Sequence, residues 1–163
     1  MGADQDGCDT KRNPTMTPTM RPATPADLPT ILRLLADDPL GKTRETAVEA
    51  PYRAAFDAIA ADPNQELVVA EHDGAVIGCF QLGFLPGLSR GGAWRAQIES
   101  VRIDAALRGH GAGEAMMRWA IDRARARGCR LVQLTTDKRR GDAHRFYARL
   151  GFIASHEGMK LET

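Results

Sequence analysis

Arg108, Gly109, Gly111 and Gly113 stand between a β-rich run, Ile98-Glu99-Ser100-Val101-Arg102-Ile103-Asp104, and an amphipathic stretch beginning at Ala112. The order reads as strand, glycine turn, helix. Three glycines at alternate positions leave backbone N–H groups uncovered where a helix begins, and a helix N-terminus favours negative charge. The pattern predicts a phosphate cradle. A nucleotide-hydrolysing loop would place Lys and then Ser or Thr after its last glycine, whereas Gly113 is followed by Glu114 and Ala115. A dinucleotide site would show G-x-G-x-x-G with an acidic residue about 20 positions on. Here the spacing is x-G-x-G-x-G, and the next strand, near Leu131 to Thr135, ends in threonines.

The elements that must position this turn follow from periodicity. A short strand at Met20 to Pro22 precedes Thr24-Pro25-Ala26-Asp27, which carries the signature of a capping box with proline at the first helical position. Leu28, Ile31, Leu32 and Leu35 then recur at helical spacing up to Asp37-Asp38-Pro39, and Asp38 to Arg44 reads as a loop. A second helix is expected over Pro51 to Ala61, with Tyr52, Ala55, Phe56 and Ile59 inward. Glu66 to His72 and Ala75 to Leu82 are β-rich runs joined by Asp73-Gly74, the chemistry of a two-residue hairpin. Leu85 to Gly92 connects them to a long strand, Trp94 to Asp104. The helix from Ala112 to Arg127 places Ala115, Met116, Trp119, Ala120 and Ala124 inward and stops at Gly128. A buried strand from Arg130 to Thr135, a helix from Asp142 to Leu150, and a last strand pairing of Phe152 to Ser155 with His156 to Leu161 complete the chain. The expected order is β-α-α-β-β-β-α-β-α-β, an α/β (α+β) mixed sheet with helices on both faces and a right-handed crossover from Gln97 to Thr135.

Bulk properties narrow the classes. The 163 residues, 43% hydrophobic, suffice for one core and are too few for two ordinary domains. Residues 1–18, rich in Asp, Thr, Pro and Gly, read as a flexible leader, and 19–163 as the domain. Met16 and Met20 leave the natural start open. Twenty-two basic and twenty-one acidic side chains give a net charge of +1, which supplies no global field for nucleic acid or an anionic membrane. No apolar run nears the roughly 20 residues that span a bilayer. A soluble cytoplasmic protein is expected. Cys8, Cys79 and Cys129 fit neither a disulfide framework nor a metal or redox motif. Cys79 and Cys129 read as small core residues rather than nucleophiles, and no metal is expected.

Arg108-x-x-Gly111-x-Gly113 after a strand, the upstream Asp73-Gly74 hairpin and the downstream run Ala143-His144-Arg145-Phe146-Tyr147-Ala148-Arg149-Leu150-Gly151-Phe152 together resemble the GNAT superfamily of acetyl-coenzyme A-dependent N-acetyltransferases. The resemblance spans about Met20 to Leu161. More locally, Arg140 to Tyr147 is similar to the matching segment of aminoalkylphosphonate N-acetyltransferases. The resemblance implies acetyl-CoA as cosubstrate. It implies a strand that splays from its neighbour, often at a bulge, so that backbone groups of Val101 and Ile103, with Arg102 between them, bond the pantetheine arm. The pyrophosphate would rest on the N–H groups of Gly109, His110, Gly111, Ala112, Gly113 and Glu114, with Arg108 adding charge. Glu114, in the first helical turn, can point its carboxylate outward. The plain alternative is a tight turn with no ligand.

An ammonium has no lone pair for acyl transfer, so a base helps to deprotonate an amine whose reference pKa is about 10. Glu99 occupies a position where several GNAT enzymes carry a catalytic glutamate, and burial there would raise its pKa. Otherwise it is a strand carboxylate that is solvated or salt-bridged to Arg102 or Arg95. Tyr147 matches the family tyrosine that protonates the departing thiolate; its alternative is packing beside Phe146. The Val101 N–H would polarise the carbonyl. Many members carry Asn three residues before the position of Ala143; this chain has Arg140, which either contacts the coenzyme or projects into solvent. His144 either touches the ligand or is a satisfied structural histidine.

The acceptor is expected opposite the cofactor, among Asp37 to Arg44, the second helix and Leu85 to Gly92. Asp37, Asp38 and Glu45 would attract a cationic amine; Lys42 and Arg44 would bind a phosphonate or carboxylate. A small-molecule primary amine is the preferred acceptor, with a protein N-terminus or lysine as alternative. Many members are dimers, so a homodimer is compatible with the resemblance. A coenzyme-binding regulatory module without catalysis is a further reading. So is a nucleic-acid factor using Arg123, Arg125, Arg127 and Arg130, which near-neutral charge disfavours.

Overall fold

The computed structural model describes residues 16–37 and 49–162. Cys8, most of the expected leader and the loop with Asp38, Lys42, Arg44 and Glu45 lie outside the described residues. Five strands form one sheet in the order β1 (Thr19–Pro22), β2 (Gln65–His72), β3 (Ala75–Leu85), β4 (Arg95–Ile103), β5 (Leu131–Leu134). The first four run antiparallel to their neighbours, and β5 pairs with β4 in parallel. That parallel pair follows from the helical crossover between them, since a short turn cannot reverse the chain twice.

On one face, α1 (Leu28–Ala36) packs Ile31 and Leu34 against Val69 and Cys79. On the other, α4 (Ala112–Ala126) buries Ala112, Met116, Met117, Ala120 and Ala124 against Val68, Phe80, Leu82, Phe84, Ala96 and Ile98. Between these lie α2 (Ala50–Ala61), whose buried residue is Phe56, and a single distorted turn, α3 (Ser89–Gly92), with Arg90 and Gly91 in the left-handed region. Last comes α5 (Gly141–Arg149), whose Phe146 and Tyr147 lean on the α4 side of the core.

Several buried positions depart from the periodic reading. Leu34 is buried on α1 where Leu32 was expected, and Met117 joins Met116 on α4 while Trp119 stays half-buried. On α2, Ala55 is exposed. The expected strand pairing after α5 is absent: residues 152–162 form no sheet ladder, and Ile153, Met159 and Leu161 are 84%, 96% and 89% exposed. Strand-like composition gave no burial there because no core face lies over these side chains, and β-propensity acts mainly through such packing.

The start of the fold is fixed electrostatically. The Asp27 carboxylate takes Arg21 Nη1 at 2.7 Å and Nη2 at 2.9 Å, together with the Thr24 backbone N–H at 2.7 Å. Arg21 also pairs with Glu71 at 2.8 Å, across the β1–β2 ladder where Thr19 faces Glu71. The guanidinium and the N–H hold Asp27 well below the usual carboxylate range. Such a group stabilises the fold above its unfolded pKa of about 3.9 and loses that contribution as pH falls through the folded value. Asp27→Asn is therefore expected to lower stability by about 1.5–3 kcal/mol at neutral pH. In urea titrations the gap to the parent should close only when the pH drops well below the ordinary carboxylate range.

Candidate active site

Strand β4 does two things in succession. Its pairing with β5 ends where Ile98 faces Leu134, so the backbone from Glu99 to Ile103 has no strand on that side. It also bulges. Gln81 of β3 faces Glu99 and Cys79 faces Arg102, so Phe80 alone opposes Ser100 and Val101. Ser100 sits at φ +53°, a conformation that a two-against-one bulge imposes on one residue. The buried Cys79 thiol lies 3.9 Å from the Ser100 carbonyl, and burial pushes that thiol up to about 12. It is a core residue and not a nucleophile at neutral pH.

The bulge changes which face the strand presents. Ala96 and Ile98 pack toward α4, and so do Val101 and Ile103 beyond the bulge, although strict alternation from Ile98 would have turned both away. Glu99 and Gln97 look the other way, into an open cavity of about 220 Å³ lined by Gln65, Gln81, Gly83, Leu85, Gln97 and Glu99. The burial expected for Glu99 is absent in the chain alone, where the residue is exposed. Arg102, half-buried, donates from Nη1 to the Val101 carbonyl at 2.9 Å. Neither Arg102 nor Arg95 is paired with Glu99 among the ion pairs of the described residues.

After β4, Asp104 caps a single helical turn at Ala105 to Leu107 by accepting the Ala106 N–H at 3.1 Å, and Arg33 of α1 pairs with it at 3.1 Å. The turn then opens α4. Gly109 and Gly111 take φ of +84° and +86°, where a side chain would be strained, and a Cβ on Gly109 would meet nothing within 4 Å. Gly113 has a packing role besides the expected one. Its Cβ would lie 2.8 Å from Ile103 Cδ1 and 3.5 Å from Phe146, so this glycine lets β4, α4 and α5 approach one another. Ala112 is buried as the first residue of α4. The free N–H groups of a first helical turn thus follow two left-handed glycines.

The flanking polar residues are placed as follows. Arg108 is exposed, with Nε donating to the Ile103 carbonyl at 3.3 Å. His110 Nδ1 lies 3.1 Å from the Arg108 carbonyl, and its own carbonyl accepts the Met16 N–H at 2.8 Å. Glu114 turns its carboxylate to Arg118 at 2.7 Å, one helical turn away from the glycines. Arg140 is the N-cap of α5. His144 donates from Nε2 to the Asp137 carbonyl at 3.1 Å, which gives this ring a structural partner.

Tyr147 packs edge-on between Phe146 and Phe152, with ring centroids at 5.2 and 5.8 Å. Burial raises the pKa of its phenol against the opposing pull of Arg140 and Arg102, so the group keeps its proton at neutral pH. The structure thus gathers Val101, Ile103, Gly113 and Tyr147 on the α4 side, and opens Glu99 on the other. Sequence reading missed the glutamines Gln65, Gln81, Gln97 and Gln133 around Glu99. Their signal was the polar residue at an inward position of four successive sheet strands.

Among the described residues no group of three His, Cys, Asp or Glu side chains is placed to hold a metal, and no helix is long and apolar enough to cross a membrane.

A model of the Acetyltransferase (GNAT) family matches residues 28–152. The chain is 35% identical over 111 residues to aminoalkylphosphonate N-acetyltransferase of Salmonella typhimurium, covering 66% of this chain and 71% of that protein. It is 33% identical over 121 residues to glucosamine 6-phosphate N-acetyltransferase 1 of Oryza sativa subsp. japonica, covering 69% and 68%. A solved structure from Bacillus halodurans C-125, described as a transcriptional regulator, superposes with a TM-score of 0.87 at 48% identity over 90% of this chain and 99% of that one. The splayed and bulged β4, the glycine turn and these matches agree, and the chain belongs to the GNAT family of acetyltransferases.

Proposed function

We propose that this protein transfers the acetyl group of acetyl-CoA to the primary amine of a small molecule by direct attack on the thioester. The observation that carries the reading is the parting of β4 from β5 at Ile98 just before the glycine turn. It leaves strand backbone open to an extended amide-bearing arm, beside N–H groups suited to a diphosphate. The residues present fit that cosubstrate: Val101, Arg102 and Ile103 along the open strand, Gly109 to Glu114 at the turn, and Arg108, Arg140 and His144 at its margins. Bound there, acetyl-CoA supplies an activated acetyl group.

Glu99 accepts a proton from the acceptor ammonium, directly or through water, and the freed nitrogen forms the new C–N bond. As the C–S bond breaks, Tyr147 donates its phenolic proton to the sulfur. The new C–N bond leaves the nitrogen cationic, and it sheds its second proton to solvent to give the neutral amide. The proton taken by Glu99 also returns to solvent and Tyr147 is reprotonated from solvent, so one proton is released net. The Val101 N–H stabilises the negative charge that develops on the carbonyl oxygen. The names of the two curated relatives support an amine acceptor of low molecular weight. Against a nucleic-acid role, Arg123 is paired with Glu66 and Arg125 with Asp122. Arg127 donates to the Pro63 carbonyl and stacks 4.5 Å over the Phe84 ring.

Calorimetry with acetyl-CoA, combined with thiol release across a set of amines, tests the reading. Binding without thiol release from any amine would leave a regulatory coenzyme-binding module instead. Tyr147→Phe is expected to reduce kcat on the order of 10²-fold while leaving the heat of acetyl-CoA binding unchanged. Unchanged turnover would remove the phenol from the proton path.

A further inference from the structure

Glutamine occurs once on each of four adjacent strands, at Gln65, Gln81, Gln97 and Gln133, all half-buried. The register brings them together: Gln81 faces Glu99, Gly83 faces both Gln65 and Gln97, and Gln97 faces Gln133. Carboxamides on a sheet face are costly unless bonded. These four bond in two couples, Gln81 Nε2 to Gln65 Oε1 at 3.0 Å and Gln133 Nε2 to Gln97 Oε1 at 2.7 Å. Each couple spends one N–H and leaves an amide nitrogen on one partner and a carbonyl oxygen on the other.

Around the cavity this leaves two donors, the amides of Gln65 and Gln97, and two acceptors, the Gln81 carbonyl and the Glu99 carboxylate. Glu99 is the single charged residue among the six described residues that line it. Gly83 forms the floor between the couples, where a Cβ would come within 3.1 Å of the Gln65 amide. The volume of about 220 Å³ equals that of roughly seven waters.

Building on the transferase reading above, we infer that this cavity selects a small, hydroxylated primary amine whose only charge is its ammonium. A hydroxyl both donates and accepts, so neighbouring hydroxyls match the alternating amide donors and acceptors, while the ammonium meets Glu99. A plain alkyl amine would strip water from three amide groups and return bonds to Glu99 alone, a loss that polar sites use to reject deoxy analogues strongly. A phosphorylated amine would set its charge against the Glu99 carboxylate and the Gln81 carbonyl.

The test is thiol release from acetyl-CoA with three amines of matched length: 3-amino-1,2-propanediol, its monophosphate and n-propylamine. The diol is expected to show kcat/KM at least 10²-fold above the alkyl amine and above the monophosphate. Gln97→Leu and Gln81→Leu, each verified by retained acetyl-CoA binding heat, are expected to shrink the diol-to-alkyl ratio at least tenfold, chiefly through KM for the diol. A ratio near one in the parent protein, preference for the monophosphate, or a ratio unaltered in both variants would overturn this inference alone. Thiol release from none of the amines, with acetyl-CoA bound, would overturn it together with the transferase reading.

Discussion

Replacing Glu99 with Gln should lower kcat by about 10²–10⁴-fold while acetyl-CoA binding is retained. The reason is the protonation state of the acceptor. An alkyl amine with a reference pKa of about 10 is almost wholly ammonium at neutral pH, and only the small neutral fraction can attack. Glu99 is the first β4 residue beyond the β5 pairing and opens into the cavity proposed for the acceptor. Glutamine keeps the shape and hydrogen-bonding reach of the side chain but cannot take up a proton. The deficit should therefore narrow as pH is raised toward 10, because solvent then supplies neutral amine. Steady-state rates of parent and variant across that range decide the matter. A constant deficit at all pH values would assign Glu99 to structure or acceptor binding and remove it as base.

Phe80→Ala should be among the most destabilising single changes on the sheet, costing about 3–5 kcal/mol. For a chain of this size that corresponds to a fall in Tm of about 10 °C. Phe80 is 0% exposed, touches Trp119 edge-on with centroids 5.8 Å apart, and is the one β3 residue opposite Ser100 and Val101. Its loss leaves a cavity under the bulge as well as in the core. Phe84 offers the comparison, since it is equally buried but faces Ala96 on regular ladder. Phe84→Ala should destabilise comparably and leave acetyl-CoA affinity intact in whatever fraction remains folded, whereas Phe80→Ala should also weaken affinity about tenfold or more. Thermal unfolding and calorimetry at a temperature where both variants are folded measure the two effects. Equal affinities would mean that the bulge holds its shape without Phe80.

The helices and the hairpin were legible in the chain because their signals are local. Thr24 and Asp27 make the expected capping contact, with the Thr24 N–H donating to the Asp27 carboxylate at 2.7 Å, and Asp73-Gly74 turns with φ of +49° and +75°. Gly128, at φ +74°, stands after α4 as the C-terminal stop. Gly109 and Gly111 announced a turn ahead of a helix, and the family motifs on either side gave that turn its expected chemistry. Leu34 and Met117, buried outside the expected stripes, show where a wide apolar face leaves more than one way to seat a helix.

What composition and spacing determined, then, was the order of elements through α5 and the glycine turn at the head of α4, since backbone conformation and periodicity are short-range properties. Tertiary structure alone decided that Val101 and Ile103 face α4, that Glu99 stays exposed beside four glutamines, that Gly113 is a packing glycine and that residues 152–162 join no ladder. Each of these depends on register between distant strands. One extra residue opposite Phe80 inverts every side chain beyond it, and nothing within the β4 sequence itself states which partner residue will be passed over.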